Sequence, residues 1–579
     1  MTKRSFERRG RMLAFVAAFA ALAALVAATS SSASQDRLSR INHVVVIYEE
    51  NHSFDNLYGG WEGVNGLQNA DPAHTTQVGQ SGTPYSCLLQ NDVNLTSPSP
   101  LPTTCTDTTT GKSFDSAFPN APFAIDDYIS KNDTTCPAPG AFFARGVPKG
   151  QGLPGGCTED LVHRFYNEQY QLDGGKQDRY VTGSDAAGLS MGYYKTRSLP
   201  IYQYLHQEGA PHYAIADNFF QGAFGGSFLN HQWLIAAQTP TFPNPPTGLR
   251  SAVDANAMPT GTPLYTPTGT VADKAVTATC DQTHSVGRDD LACGDYAVNT
   301  TQPPYQPYAP GTPPTNLLPP QTQPNIGDRL NDAGVSWAWY SGGWSNADGD
   351  TGAPGWTNGT HAVSRDLGGD NTNSGGCPDP NSLATATWPN CPDKLFQFHH
   401  QPFNYFADMA PGTTNRAAHL KDEAEFESLL ADSGKSCKLR SVSFVKPIGA
   451  ENEHPGYTGE QQGSDHLVEL LKAIHGSRCS KDTMVVVTYD EFGGQWDHVP
   501  PPGQGGAAGA HDKWGPGTRI PALIVSPFLR GDFVVDDTEH DTTSVLSTIE
   551  HRFALEPLSS RDAAVPDLSS VYDAKDPLD

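Results

Sequence analysis

The stretch His43-Val44-Val45-Val46-Ile47-Tyr48-Glu49-Glu50-Asn51 runs from apolar and aromatic residues into two acids and an amide. About 440 residues later, Met484-Val485-Val486-Val487-Thr488-Tyr489-Asp490-Glu491 repeats the pattern. A short, unbroken β-branched run is the signature of a strand covered on both faces, as in a parallel sheet between helices. Ligands of open α/β sheets bind beyond the carboxyl ends of such strands, so both segments bring acids to one rim. Crowded carboxylates raise one another's pKa values unless a cation sits among them. Glu50, Asp490 and Glu491, with the amide oxygen of Asn51, are the donor types a hard divalent ion takes. Two solvated strand ends are the alternative reading.

Outward from this pair, Tyr213–Ala216, Val335–Tyr340, Val442–Val445 and Ala522–Ser526 also read as buried parallel strands. Amphipathic stretches at Leu199–Glu208, Ala417–Asp432, Ser464–His475 and Thr543–Phe553 alternate with them, the order of an α/β sheet covered on both faces. Residues 70–155 and 238–325 are rich in Pro, Thr, Gly and Asn, and 345–393 adds Trp and Asp. They read as insertions into one catalytic domain spanning 34–579, with no internal repeat of a solenoid.

The nucleophile candidate lies in Gln221-Gly222-Ala223-Phe224-Gly225-Gly226-Ser227-Phe228-Leu229-Asn230-His231. Gly225-Gly226 allows close approach of backbone to a ligand, and Ser227 opens a helix whose free N–H groups suit a phosphoryl group. Asn230, one turn on, shares the face of Ser227 and can donate to a phosphate oxygen. Simple N-capping by Ser227 is the plainer alternative. His163, His399, His400, His454 and His498 complete the set, because imidazolium donates to phosphate oxygens and can protonate a leaving alkoxide.

Residues 1–33 read as an export signal: Lys3, Arg4, Arg8, Arg9 and Arg11 precede the apolar run Met12–Ala28 and a run of small residues. Arg8-Arg9 suggests the twin-arginine type, and an uncleaved anchor is the alternative. The signal carries five basic residues against Glu7 alone, so its removal takes the net charge from −26 to −30. A chain that acidic does not hold nucleic acid on its general surface and needs a locally positive site for an anionic substrate. No second apolar run is long enough to span a bilayer. Ten cysteines follow the signal, and an even number in an exported chain points to disulfides. Neighbours would pair 87–105, 136–157, 280–293, 377–391 and 437–479, a connectivity that spacing leaves open.

Together these segments resemble the bacterial phosphoesterase family that holds the phospholipases C and the burst-inhibiting acid phosphatases. The resemblance runs in order through HVVVIYEENHSFD at 43–55, GGKQD at 174–178 after His163, GGSFLNH at 225–231, FQFHHQPF at 396–403, NEHP at 452–455, YDEFGGQWDHVPPP at 489–502 and PALIVSP at 521–527. It implies an alkaline-phosphatase-like α/β/α sandwich with a largely parallel central sheet and long loop insertions. It also implies one divalent metal on Glu50, Asn51, Asp490 and Glu491, with Ser227 as nucleophile beside it. Asn230, His163, His400 and His454 would surround the phosphate, with His399 close by and His498 in a motif of less defined role. Attack by Ser227 would give a phosphoseryl intermediate, with His454 or His400 as proton donor to the leaving alcohol.

Within that resemblance a periplasmic or secreted acid phosphatase is the expected activity. The opening EENHSFDN is nearer that branch, and the chain stops about 25 residues after its last core helix. A phospholipase C acting on phosphatidylcholine-like diesters is the alternative, and an inactive surface-binding protein a further one. Protonated histidines would place the activity at acidic pH. Small phosphate esters or phospholipid head groups would be the substrates.

Overall fold

The structure, a computed structural model, describes residues 36–96, 105–106, 111, 113–114, 117–138, 143, 145–254, 258–260, 273–280, 291–309, 312–357 and 395–577. The export signal of residues 1–33, the cysteine pair 377–391 and most of the 345–393 insertion lie outside the described residues.

Eight strands form the central sheet: β1 (His43–Glu49), β2 (Tyr213–Ala216), β3 (Trp337–Ser341), β4 (Leu420–Asp422), β5 (Val442–Lys446), β6 (Thr483–Tyr489), β7 (Ala522–Val525) and β8 (Phe533–Asp536). Their order is β4-β3-β5-β1-β6-β7-β2-β8. Val44, Val45, Val46 and Ile47 of β1 are fully buried, as are Met484 and Val486 of β6. Each such side chain is worth about 1.5–3 kcal/mol of burial, which places these two apolar runs side by side at the centre.

Helices α1 (Phe165–Leu172), α2 (Pro200–Leu205), α3 (Ser227–Ala236), α4 (Ile326–Asp332), α5 (Glu423–Ala431), α6 (Glu460–Gly476) and α7 (Thr543–Phe553) surround the sheet. Helix α6 buries Leu467, Leu470, Leu471 and Ile474, a spacing that puts them on one face, and it packs against α2 and α5. Helix α3 packs against α7 and α4. Successive strand residues face opposite ways: the Tyr48 ring meets His231 of α3 at 4.9 Å, while the charge of Glu49 is felt by His466 of α6. The result is an α/β sandwich with a largely parallel sheet.

Two sequence expectations need correction. Ala522–Ser526 was expected to be parallel, but β7 runs antiparallel to both β6 and β2. A parallel connection needs a crossover element such as a helix. Residues 490–521 contain none, so the chain re-enters the sheet from the rim it has just left. The stretch Ala417–Asp432 is not one helix: β4 interrupts it, adding to β3 in parallel before Asp422 caps α5. Three residues are too few for an alternation pattern to show.

Disulfides join Cys136 to Cys157, Cys280 to Cys293 and Cys437 to Cys479. No helix among the described residues is long and apolar enough to cross a membrane.

Candidate functional site

The register of β1 with β6 pairs Glu49 with Tyr489, so Glu50 and Asp490 leave the sheet side by side. Asn51 then takes a left-handed conformation (φ 61°), which asparagine tolerates better than most residues. Its N–H donates to Asp490 Oδ1 at 3.2 Å, and that of Glu491 donates to the same oxygen at 2.8 Å. Gly493 follows with φ 63°, and a Cβ there would stand 2.1 Å from the Asn51 carbonyl oxygen. The bend after β6 is thus closed tightly over the bend after β1. All four of Glu50, Asn51, Asp490 and Glu491 are fully buried.

Ser227 is brought to this rim by a turn that α1 holds in shape. Glu168 of α1 accepts from the N–H of Gly225 at 2.5 Å, from Gln221 Nε2 at 2.8 Å and from the N–H of Thr518 at 2.7 Å. Gln221 Oε1 in turn accepts from the N–H of Phe492, tying the serine turn to the residue after Glu491. Gly225 has φ 89°, and a Cβ on it would lie 2.6 Å from the backbone nitrogen of Phe165. Ser227 is the first residue of α3, and Gly226, not Ser227, is the N-cap. Its hydroxyl lies 3.2 Å from Glu50 Oε2, 3.4 Å from Glu491 Oε1 and 3.5 Å from Asn51 Oδ1. Three chain segments remote in sequence therefore surround one hydroxyl.

Histidines close two sides. His454 Nε2 lies 2.9 Å from Asn51 Nδ2, and His163 Nε2 lies 3.5 Å from the same amide and 3.5 Å from Glu491 Oε1. Each presents its other nitrogen to a backbone carbonyl, His163 Nδ1 to Leu161 at 2.6 Å and His454 Nδ1 to Pro455 at 2.7 Å. A carbonyl accepts only a donor, which fixes the proton on Nδ1 and leaves Nε2 as the acceptor that faces the Asn51 amide. On the other side, His400 Nε2 is 3.1 Å from Glu50 Oε1, and its ring stacks on His231 at 4.9 Å. His399 packs edge-on against His400.

Two expected residues are placed otherwise. Asn230 spends its amide on the serine turn: Oδ1 accepts from the N–H of Ala223, and Nδ2 donates to the carbonyls of Gly225 and Gly226. His498 is not brought to Ser227. Its Nδ1 pairs with Asp55 at 2.5 Å and its Nε2 meets Asn65, within a buried cluster that includes Asp497 and Arg519.

The electrostatics are those of a crowded acidic pocket. Burial, then the charge of Asp490, pushes Glu50 up to about 8 and raises Glu491 well above the usual carboxylate range; burial lifts Asp490 to about 6. Burial also lowers His163 to about 4 and His399 to about 3, and drives His400 and His454 well below the ordinary imidazole value. Burial thus works against the imidazolium form on which the expectation of acidic-pH activity relies. Lys446, at the end of β5, was not singled out from the sequence. It is fully buried, with Nζ 2.5 Å from Glu50 Oε1. The available signal was a lysine closing the apolar run Val442-Ser443-Phe444-Val445, a third strand ending in a charge at the same rim. His231 and Glu168 were likewise not given roles.

The donor set fits a divalent cation. Three buried carboxylates and an amide oxygen converge on a single lysine, and Asp490 Oδ2 accepts no hydrogen bond. Buried carboxylates without such partners are costly unless a cation compensates them.

Comparison with known proteins agrees with this chemistry. The chain matches the Phosphoesterase family over residues 41–139 and 146–556. It is 24% identical over 564 residues to phospholipase C B of Mycobacterium tuberculosis, covering 92% of this chain and 78% of that protein. It is 23% identical over 567 residues to phospholipase C A of the same organism, covering 93% and 78%. A shorter likeness, 30% over 151 residues, is to non-specific phospholipase C6 of Arabidopsis thaliana, covering 22% of this chain and 29% of that one. The relatives thus favour the alternative reading over the expected acid phosphatase. This chain belongs to the Phosphoesterase family and is a phosphoric ester hydrolase.

Proposed function

We propose that the protein is an exported phospholipase C-type phosphodiesterase that cleaves phospholipid head groups, with Ser227 as nucleophile. The observation that carries the reading is the Ser227 hydroxyl 3.2–3.5 Å from Glu50, Asn51 and Glu491 at the rim where β1 and β6 end. The choice of diester over monoester rests on relatives named phospholipase C that align over more than nine-tenths of this chain. Export rests on the N-terminal sequence and suits the disulfides among the described residues, a bond type that persists in oxidising compartments.

Glu50, Asn51, Asp490 and Glu491 would hold one divalent ion, which when bound supplies positive charge against the phosphoryl oxygens and the serine oxygen. The residues of the chain do the rest. Ser227 gives its proton to Glu50 Oε2 or Glu491 Oε1, the carboxylates within reach, as its oxygen bonds to phosphorus. The bond to the glyceryl oxygen breaks and the alcohol leaves with the proton that the carboxylate took from Ser227, leaving a phosphoseryl diester. Water then attacks phosphorus, and Nε2 of His163 or His454 takes its proton and passes it to the Ser227 oxygen as the bond from that oxygen to phosphorus breaks. The phosphorylated head group departs. Asn230 acts by holding the Gly225-Gly226 turn.

Purified protein assayed on phosphatidylcholine vesicles and on p-nitrophenyl phosphate tests this choice. Release of phosphocholine is expected to exceed release of p-nitrophenol by at least tenfold at equal substrate. The reverse order would restore the acid phosphatase reading.

A further inference from the structure

Beside the serine lies a second set of buried donors that the proposed mechanism does not use. One ring nitrogen of His231, one of His400 and a carboxylate oxygen of Glu50 fall within 4.8 Å of one another. His231 Nδ1 is held by the Ser227 carbonyl at 2.7 Å, which leaves its Nε2 bare, and Asp490 Oδ2 stands 3.8 Å from that Nδ1. His231 Nε2 and Asp490 Oδ2 are buried and make no hydrogen bond, and His400 Nε2 meets only Glu50 Oε1, at 3.1 Å. Two imidazoles with a carboxylate are a donor set that zinc takes readily. Into the same space comes the ammonium of Lys446, 2.5 Å from Glu50 Oε1 and donating to the Tyr48 carbonyl at 2.8 Å.

We propose that Lys446 stands where a second metal ion would otherwise bind, as a cation built into the chain, so that the site takes one divalent ion only. Charge supports this. Glu50, Asp490 and Glu491 carry three negative charges, Lys446 returns one, and a single divalent ion balances the remainder. A second divalent ion with Lys446 in place would leave an excess of two positive charges in a buried site, which is costly. Lys446 also acts as a positioning residue, because its hold on Oε1 leaves Oε2 of Glu50 facing Ser227. The inference rests on the proposed ion at Glu50, Asn51, Asp490 and Glu491 and adds the reason why no second ion joins it.

The test is the metal content of the full chain, loaded with excess Zn2+, desalted and measured by elemental analysis. Wild type and Lys446→Arg are expected to hold one ion per chain. Lys446→Ala, which removes both charge and bulk, is expected to hold two, and adding His231→Ala in that background returns the ratio to one. Lys446→Gln is made alongside, in case alanine does not fold, with the same expectation of two. Two ions in wild type overturn the inference while leaving the proposed function standing. So does a ratio of one in folded Lys446→Ala or Lys446→Gln. No bound ion in any of the proteins overturns both.

Discussion

The rim around Ser227 and the cluster around Arg519 draw on the same two chain segments, near residues 50–55 and 490–498, yet they are finished differently. In the Arg519 cluster one guanidinium lies between two carboxylates, with Nε 3.1 Å from Asp497 and Nη2 3.2 Å from Asp55, and its remaining donors reach the carbonyls of Asn65 and Asp217. No buried side-chain atom of Asp55, Asp497, His498 or Arg519 lacks a partner. At the rim three carboxylates share one lysine, and Asp490 Oδ2 and His231 Nε2 are left without hydrogen bonds. A cluster that completes itself holds the fold, and a cluster that stays incomplete awaits something from outside. Motif membership does not separate the two, because His498 and Glu491 lie in the same short stretch.

The contrast breaks most sharply under paired substitutions. Ser227→Ala is expected to lower turnover by a factor on the order of 1,000 or more, with an unchanged urea midpoint and unchanged bound metal. A variant retaining a tenth of the wild-type rate removes Ser227 as nucleophile. Arg519→Leu should do the opposite, costing about 3–5 kcal/mol of stability because Asp55 and Asp497 are left buried and uncompensated. Denaturant titration reads this directly. A loss below about 1 kcal/mol would mean that the Arg519 cluster is not what ties these segments together.

A chelator probes the other side of the comparison. Only the incomplete cluster should respond, and an ion present at about 100 times its dissociation constant adds roughly 2.7 kcal/mol of stability. Unfolding midpoints with and without chelator are expected to differ in wild type and to coincide in a Glu491→Gln, Asp490→Asn double variant. Equal shifts in both proteins would place the ion elsewhere.

Much of this was legible in the sequence, and the gaps have physical causes. The apolar runs of β1 and β6 announce themselves because both faces are covered, and the acids that end them follow directly. Parallelism of β7 was misread because direction depends on the connection, and the absence of a helix in residues 490–521 carries that information. Lys446 went unremarked because a lysine at a strand end is ordinarily solvated. Only the convergence of β5 with β1 shows that its ammonium reaches Glu50. His498 was grouped with the phosphate-facing residues because neighbouring motif positions are close in sequence. Its side chain points instead to Asp55, which one-dimensional spacing does not reveal.

His466 and Glu423 form a pair of intermediate kind, 2.9 Å apart and mostly buried. Burial opposes charge on His466, but the carboxylate of Glu423 outweighs it and lifts the imidazole to about 10. A histidine whose folded pKa is raised stabilises the protein fully below its unfolded value of about 6.5, and that stability fades as pH rises through the folded value. Wild type is therefore expected to lose about 2 kcal/mol between pH 7 and 10 that His466→Gln does not lose, the size of a charge-assisted hydrogen bond. Identical pH profiles for the two proteins would show that the pair contributes nothing.

The smallest effect concerns His498 and bears most directly on the comparison. Its ring bridges Asp55 and Asn65, while Asp55 keeps its bonds to Arg519 and to the His498 backbone N–H. Removing the ring deletes one charge-assisted bond from a carboxylate that remains compensated, so His498→Asn should cost about 1.5 kcal/mol. A residue that touched the phosphoryl group would instead raise KM or lower kcat with little effect on folding. Urea midpoint and steady-state kinetics on one sample separate the outcomes: a lower midpoint with unchanged kcat/KM assigns His498 to the self-completed cluster. An unchanged midpoint with a tenfold loss of kcat/KM would move it to the rim, and the division between the two clusters would fail at the residue where it is most exposed to error.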